Sequence, residues 1–76
     1  MPRITPTHWA KLRCVFEKAG FVFDREEGDH IALVKAGIKR PVIIPKYKSV
    51  GLDIILANMR TANMSRAEYF KYLSQC

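Results

Sequence analysis

The sequence holds only two cysteines, four glycines and four prolines in 76 residues, and acidic residues are the scarcer charge. Each scarcity excludes something. Cys14 and Cys76 lie at opposite ends and match no metal-ligand or redox spacing, so they read as reduced thiols. No apolar run approaches the ~18 residues that a membrane span requires, and the opening Met-Pro-Arg-Ile-Thr-Pro lacks the apolar core of a signal peptide. A soluble, cytoplasmic protein without a membrane partner is expected. The sequence shows no Gly-rich phosphate loop, no paired His or Cys ligands and no Ser-His-Asp arrangement, so nucleotide hydrolysis and metal chemistry lack support. Neither a metal nor a cofactor is expected.

What is present is one globular unit with a basic balance. Too few residues are available to close a second core, so residues 1–76 are expected to form one domain. Hydrophobic residues make up 49% of the chain, enough for a packed core rather than disorder. Thirteen Lys and Arg against seven Asp and Glu give a formal charge of +6, which favours a polyanionic partner. The acids crowd one segment (Asp24, Glu26, Glu27, Asp29), while Lys35 to Lys48 carries only basic charge.

Periodicity supplies the elements. Trp9, Leu12, Phe16 and Ala19 recur at helical spacing, so a helix is expected from about His8 to Ala19, capped by Thr7 and stopped by Gly20. Phe21-Val22-Phe23 begins a strand, Glu26-Glu27-Gly28-Asp29 supplies a turn, and His30 to Val34 resumes an extended run. The β-branched stretch Val42-Ile43-Ile44 lies between Pro41 and Pro45 and completes a three-stranded antiparallel meander. Ser49 is the expected cap of a second helix with Leu52, Ile55, Leu56 and Met59 facing the core. Ser65-Arg66-Ala67-Glu68 has capping-box spacing and starts a short third helix carrying Tyr69, Phe70 and Leu73. Trp9, Phe16, Phe21, Phe23, Met59 and Phe70 read as packing rather than as a base-stacking platform. The fold class is α+β, with one sheet face covered by helices and the other open, an arrangement suited to laying a basic surface on nucleic acid.

Of the two histidines, His30 follows a Gly-Asp turn that can deliver its ring to the edge or open face of the sheet. Imidazole titrates near neutrality, so it can take a proton from a ribose 2′-hydroxyl or give one to a leaving 5′-oxygen without a metal. The residues alone leave open the plainer role of starting a strand. His8, at the start of a helix, reads as a surface or capping residue. Gly28 supplies a positive torsion or a close approach; Asp29 caps the turn, orients the imidazole or raises its pKa. Lys35, Lys39, Arg40, Lys46 and Lys48 can neutralise phosphates, although strand alternation allows only some of them to share a face with His30. Tyr47 can stack on a base, bond a phosphate or pack against the second helix.

The run Phe16-Glu17-Lys18-Ala19-Gly20-Phe21, then Gly28-Asp29-His30, Val42-Ile43-Ile44-Pro45, the helix from Leu52 and Ser65-Arg66-Ala67-Glu68-Tyr69-Phe70 resembles the HicA toxin family over nearly the whole chain. The resemblance implies a double-stranded-RNA-binding-like fold and an endoribonuclease that cleaves mRNA and stops growth. It also implies a HicB-type antitoxin as partner. Only His30 inherits the catalytic role and only Gly28 the supporting turn; Asp29 stands where serine is frequent in the family. Many members carry a histidine two residues after the strand-ending proline, where this sequence has Tyr47. From another class, a noncatalytic RNA-binding module accounts for the charge and fold equally well.

Overall fold

The computed structural model describes residues 3–76. Its elements run α1 (Trp9–Lys18), β1 (Val22–Glu27), β2 (His30–Val34), β3 (Val42–Pro45), α2 (Leu52–Thr61) and α3 (Arg66–Leu73). The strands form one antiparallel sheet in the order β1-β2-β3, so the α+β meander expected from the sequence is the architecture observed. The helices cover one face. Ile31 and Leu33 of β2 and Val42 and Ile44 of β3 point into them and join Leu12, Val15, Phe16, Ile55 and Tyr69 in one buried cluster. Burial of each such side chain favours folding by about 1.5–3 kcal/mol. A slip of one residue would turn the whole set to water, so this face holds the register.

Local chemistry explains where the boundaries differ from the periodic reading. The cap of α1 is His8, whose Nδ1 accepts from the Ala10 amide at 3.1 Å, not Thr7. Thr7 is committed elsewhere: its backbone pairs with Val50 in both directions and its hydroxyl donates to the Thr5 carbonyl. The same bridge displaces Ser49 as a cap. Val50 is pinned against Thr7, so α2 starts only beyond it, with extended Gly51 at the N-cap and no side-chain cap.

The inward face of α2 is also rotated from the expected stripe. Ile55, Asn58 and Met59 are buried, whereas Leu52 and Leu56 are 41% and 38% exposed. Asn58 accounts for the rotation, because its side-chain amide donates to the Ile43 carbonyl on the edge strand at 3.0 Å. A buried amide must find such a partner. Phe23 is likewise not a core residue. A register irregularity follows it on the edge strand, and its ring is 44% exposed beneath the Arg13 guanidinium, 5.1 Å away.

The capping box of α3 is present in both directions, with the Ser65 hydroxyl accepting from the Glu68 amide and the Glu68 carboxylate accepting from the Ser65 amide. The reading of reduced thiols is overturned: α3 packs along α1 and brings Cys76 onto Cys14, and the two form a disulfide. No helix among the described residues is long and apolar enough to cross a membrane.

Candidate functional site

The hairpin between β1 and β2 builds the site. Gly28 has φ +57° and nothing within 4 Å of a Cβ placed there, so it is needed for its backbone torsion and not for a close approach. Asn63 is the one non-glycine residue with positive φ among those described, so Asp29 takes an ordinary torsion. Glycine at the first of two turn positions suits a tight hairpin. The turn is therefore only Gly28-Asp29, two residues shorter than expected, and β1 continues through Glu26 and Glu27.

This register places Glu27 opposite His30, and His30 in turn opposite Pro45. One step along the same face, Arg25 pairs with Ala32 and Ala32 with Ile43. Directly opposed residues of an antiparallel pair project to the same side. Ile31 faces the helices, so the row Glu27-His30-Pro45 and the row Arg25-Ala32-Ile43 lie on the open face. Arg25, Glu27, His30, Ile31, Ala32 and Ile43 line a shallow cavity of about 40 Å³ there.

His30 is exposed and its Nδ1 lies 3.0 Å from the Asp29 carboxylate. From the second position of the turn, the Asp29 carboxylate meets the imidazole. A carboxylate at Nδ1 favours the proton on that nitrogen and leaves Nε2 for another partner. The Tyr47 ring stands edge-on to His30 with centroids 6.4 Å apart. Tyr47 is held from both sides, its amide donating to the Pro45 carbonyl and its carbonyl accepting from the Trp9 amide at the start of α1. The Lys46 amide donates to the Asp29 carbonyl at 2.6 Å, tying the segment after β3 to the turn.

The basic residues singled out from the sequence do not gather around His30. The Lys35 ammonium donates to the Ala19 carbonyl at 2.8 Å, closing the C-terminus of α1. Lys39 and Arg40 are exposed in the β2–β3 connection, at the end of β2 opposite to His30. Lys46 reaches Glu26 at 3.2 Å and lies over the Trp9 ring, on the helix-covered side. Lys48 is exposed beyond Tyr47. The structure thus brings together Gly28, Asp29, His30 and Tyr47, with Lys46 beneath them, and separates Lys35, Lys39 and Arg40.

The acidic hairpin is internally matched. Arg25 donates through Nε to Glu27 at 2.9 Å and through Nη1 to Asp24 at 2.8 Å, while Glu26 meets Lys46 and Asp29 meets His30. The hydrogen bond to Glu27 and then that to Asp24 raise the Arg25 guanidinium above its ordinary range, so it stays charged. Arg25 and Glu27 are neighbours of His30 that sequence reasoning missed. The available signal was the turn length, since a two-residue turn at Gly28-Asp29 makes Glu27 the partner of His30.

Among the described residues no group of three or more His, Cys, Asp or Glu side chains is placed to hold a metal ion. No curated protein and no solved structure matches the chain. The family model described as the HicA toxin of bacterial toxin-antitoxin matches residues 9–64, from the start of α1 to the turn before α3, and so includes the whole sheet and the His30 hairpin. The chain belongs to the HicA toxin family of bacterial toxin–antitoxin systems.

Proposed function

We propose that the protein is an endoribonuclease toxin that cleaves mRNA at His30 and is neutralised by a HicB-type antitoxin. The observation that carries this reading is the setting of His30: an exposed imidazole on the open sheet face, with Nδ1 held 3.0 Å from a carboxylate, which leaves Nε2 for another partner. An imidazole so held can exchange a proton with the ribose 2′-hydroxyl or the 5′-oxygen of a phosphodiester lying on the sheet. The formal charge of +6 favours the RNA backbone, and the open face leaves a strand access to the ring. Tyr47 stands edge-on to His30, and in this reading it stacks on a neighbouring base or bonds its phosphate. Cleavage in this reading ends in a 2′,3′-cyclic phosphate and uses no metal.

The test is cleavage of RNA by the purified protein in the presence of a chelator. The wild type cuts, and His30→Ala keeps its fold and its RNA binding but does not cut. In cells, expression arrests growth, His30→Ala does not, and co-expression of the cognate antitoxin relieves the arrest. Full activity of His30→Ala removes the residue from the mechanism, and RNA binding without cleavage by the wild type makes the protein a noncatalytic binding module.

A further inference from the structure

His30 does not stand alone on the open face. Glu27 is its direct cross-strand partner, and Cβ atoms of such pairs lie about 4.5–5.5 Å apart. Arg25, two residues earlier on the same strand and face, donates to Glu27 Oε1. With Ala32 and Ile43 they line one shallow cavity. A carboxylate, an imidazole and a guanidinium around one depression can supply the three functions that speed transfer of a phosphodiester to its own 2′-oxygen: a base, an acid and a fixed cation.

We propose that Glu27 is the general base and Arg25 the phosphate-holding cation of the cleavage centre, with His30 as the general acid. The proposal rests on the ribonuclease reading above and assigns the partners that His30 needs. Other carboxylates of the hairpin are occupied differently. Asp29 sits at Nδ1 of the imidazole, Glu26 pairs with Lys46 on the opposite face, and Asp24 binds Nη1 of Arg25 at the irregularity in β1. Glu27 is held through one oxygen by Arg25, and its side chain is exposed. Two of the Arg25 donors meet carboxylates, and a guanidinium carries further N–H groups to offer a phosphate.

In the reaction, the Glu27 carboxylate takes the proton of the ribose 2′-hydroxyl as O2′ bonds to phosphorus. The bond from phosphorus to O5′ breaks, and the His30 imidazolium passes its Nε2 proton to the departing oxygen. The products are a 2′,3′-cyclic phosphate and a 5′-hydroxyl end, with Glu27 protonated and His30 neutral; exchange with solvent restores both. Arg25 N–H groups face the non-bridging oxygens, whose negative charge grows as phosphorus becomes five-coordinate.

The pair predicts a rate profile with two limbs, one for each proton. The titratable and charged groups around it are Asp24 and Arg25 on β1, Asp29 in the turn and Tyr47 after β3, with Glu26 and Lys46 engaged with each other on the far face. The experiment measures kcat and KM against pH on one RNA oligonucleotide for the wild type, Glu27→Gln, Arg25→Ala, Arg25→Lys and His30→Ala, with melting curves for each. Glutamine keeps an oxygen for the Arg25 Nε–H, so Glu27→Gln isolates the proton transfer. The expected result is a fall in kcat of about 10²-fold or more for Glu27→Gln, loss of its acid-side limb and an unchanged KM. Arg25→Ala loses about 10²- to 10³-fold in kcat, and Arg25→Lys recovers part of it. Wild-type kcat with both limbs intact in Glu27→Gln overturns the base, and full activity in both Arg25 variants overturns the cation. If the wild type cleaves and only His30→Ala is inactive, this assignment fails while the ribonuclease reading stands. If the wild type does not cleave, both fail.

Discussion

The two faces of the sheet are built from alternate residues of the same strands and have opposite characters. On the helix side, Ile31, Leu33, Val42 and Ile44 are all at most 1% exposed. On the open side, Arg25, Glu27, His30 and Ile43 remain in contact with solvent. Because side chains alternate along β2 and β3, and along β1 beyond its irregularity, the covered face can fix the register of the open one without sharing a residue with it. The candidate site is displayed by a face that contributes little packing, and it is aligned by the apolar face behind it.

Substitutions of neighbours on opposite faces can break this division. His30→Ala should reduce cleavage by at least about 10²-fold while leaving the thermal midpoint near that of the wild type. Leu33→Ala, three residues along β2, should do the reverse in kind, lowering stability by about 2–5 kcal/mol in a denaturant titration. Residual activity should then follow the folded fraction. A large loss of stability in the first variant, or a small one in the second, would mean that the faces are not separable.

The turn joins β1 to β2 and so sets the register of both faces. Gly28→Ala places a Cβ at φ +57°, with an expected cost of about 1–2 kcal/mol, and Gly28→Asn should cost less because asparagine tolerates that region. Activity more sensitive than stability to these changes would show that the turn also aims His30 and Glu27. Ser65→Ala, in the capping box far from both rows, should cost about 1 kcal/mol and leave cleavage rates unchanged. It has a pH signature as well. The Ser65 backbone amide, and then its side chain, hold the Glu68 carboxyl below the usual carboxylate range. A group lowered in the folded state contributes stability above its unfolded pKa and loses it as the pH falls through the folded one. Acid should therefore narrow the gap between wild type and Ser65→Ala in melting experiments. The smallest effect is expected for Ile43→Ala, at 37% exposure on the open face, within about 1 kcal/mol in the same titration that reports Leu33→Ala.

Much of the fold was legible because its signals are local. The capping box at Ser65, the β-branched run at Val42-Ile43-Ile44 and the apolar spacing of α1 each act within a few residues. The errors fell where a distant contact competed. Thr7 and Ser49 look like caps, but the bridge between Thr7 and Val50 moves both helix starts. Leu52 and Leu56 have the spacing of a core stripe, but Asn58 needs the Ile43 carbonyl and turns α2 on its axis. The cysteines show no spacing signal because their meeting depends on α3 lying along α1.

For the site, the sequence by itself determined that the chain turns at Gly28-Asp29 just before His30, since glycine there permits a torsion that other residues resist, although it read the turn as starting at Glu26. It also determined the basic charge and the family motifs. Only the tertiary structure decided which charges stand beside His30. Cross-strand register places Arg25 and Glu27 on its face, while backbone and side-chain partners draw Lys35 to the end of α1 and Lys46 to Glu26. The physical reason is that a long basic side chain settles where it finds an acceptor, and the acceptors are brought near only when the sheet and helices have packed.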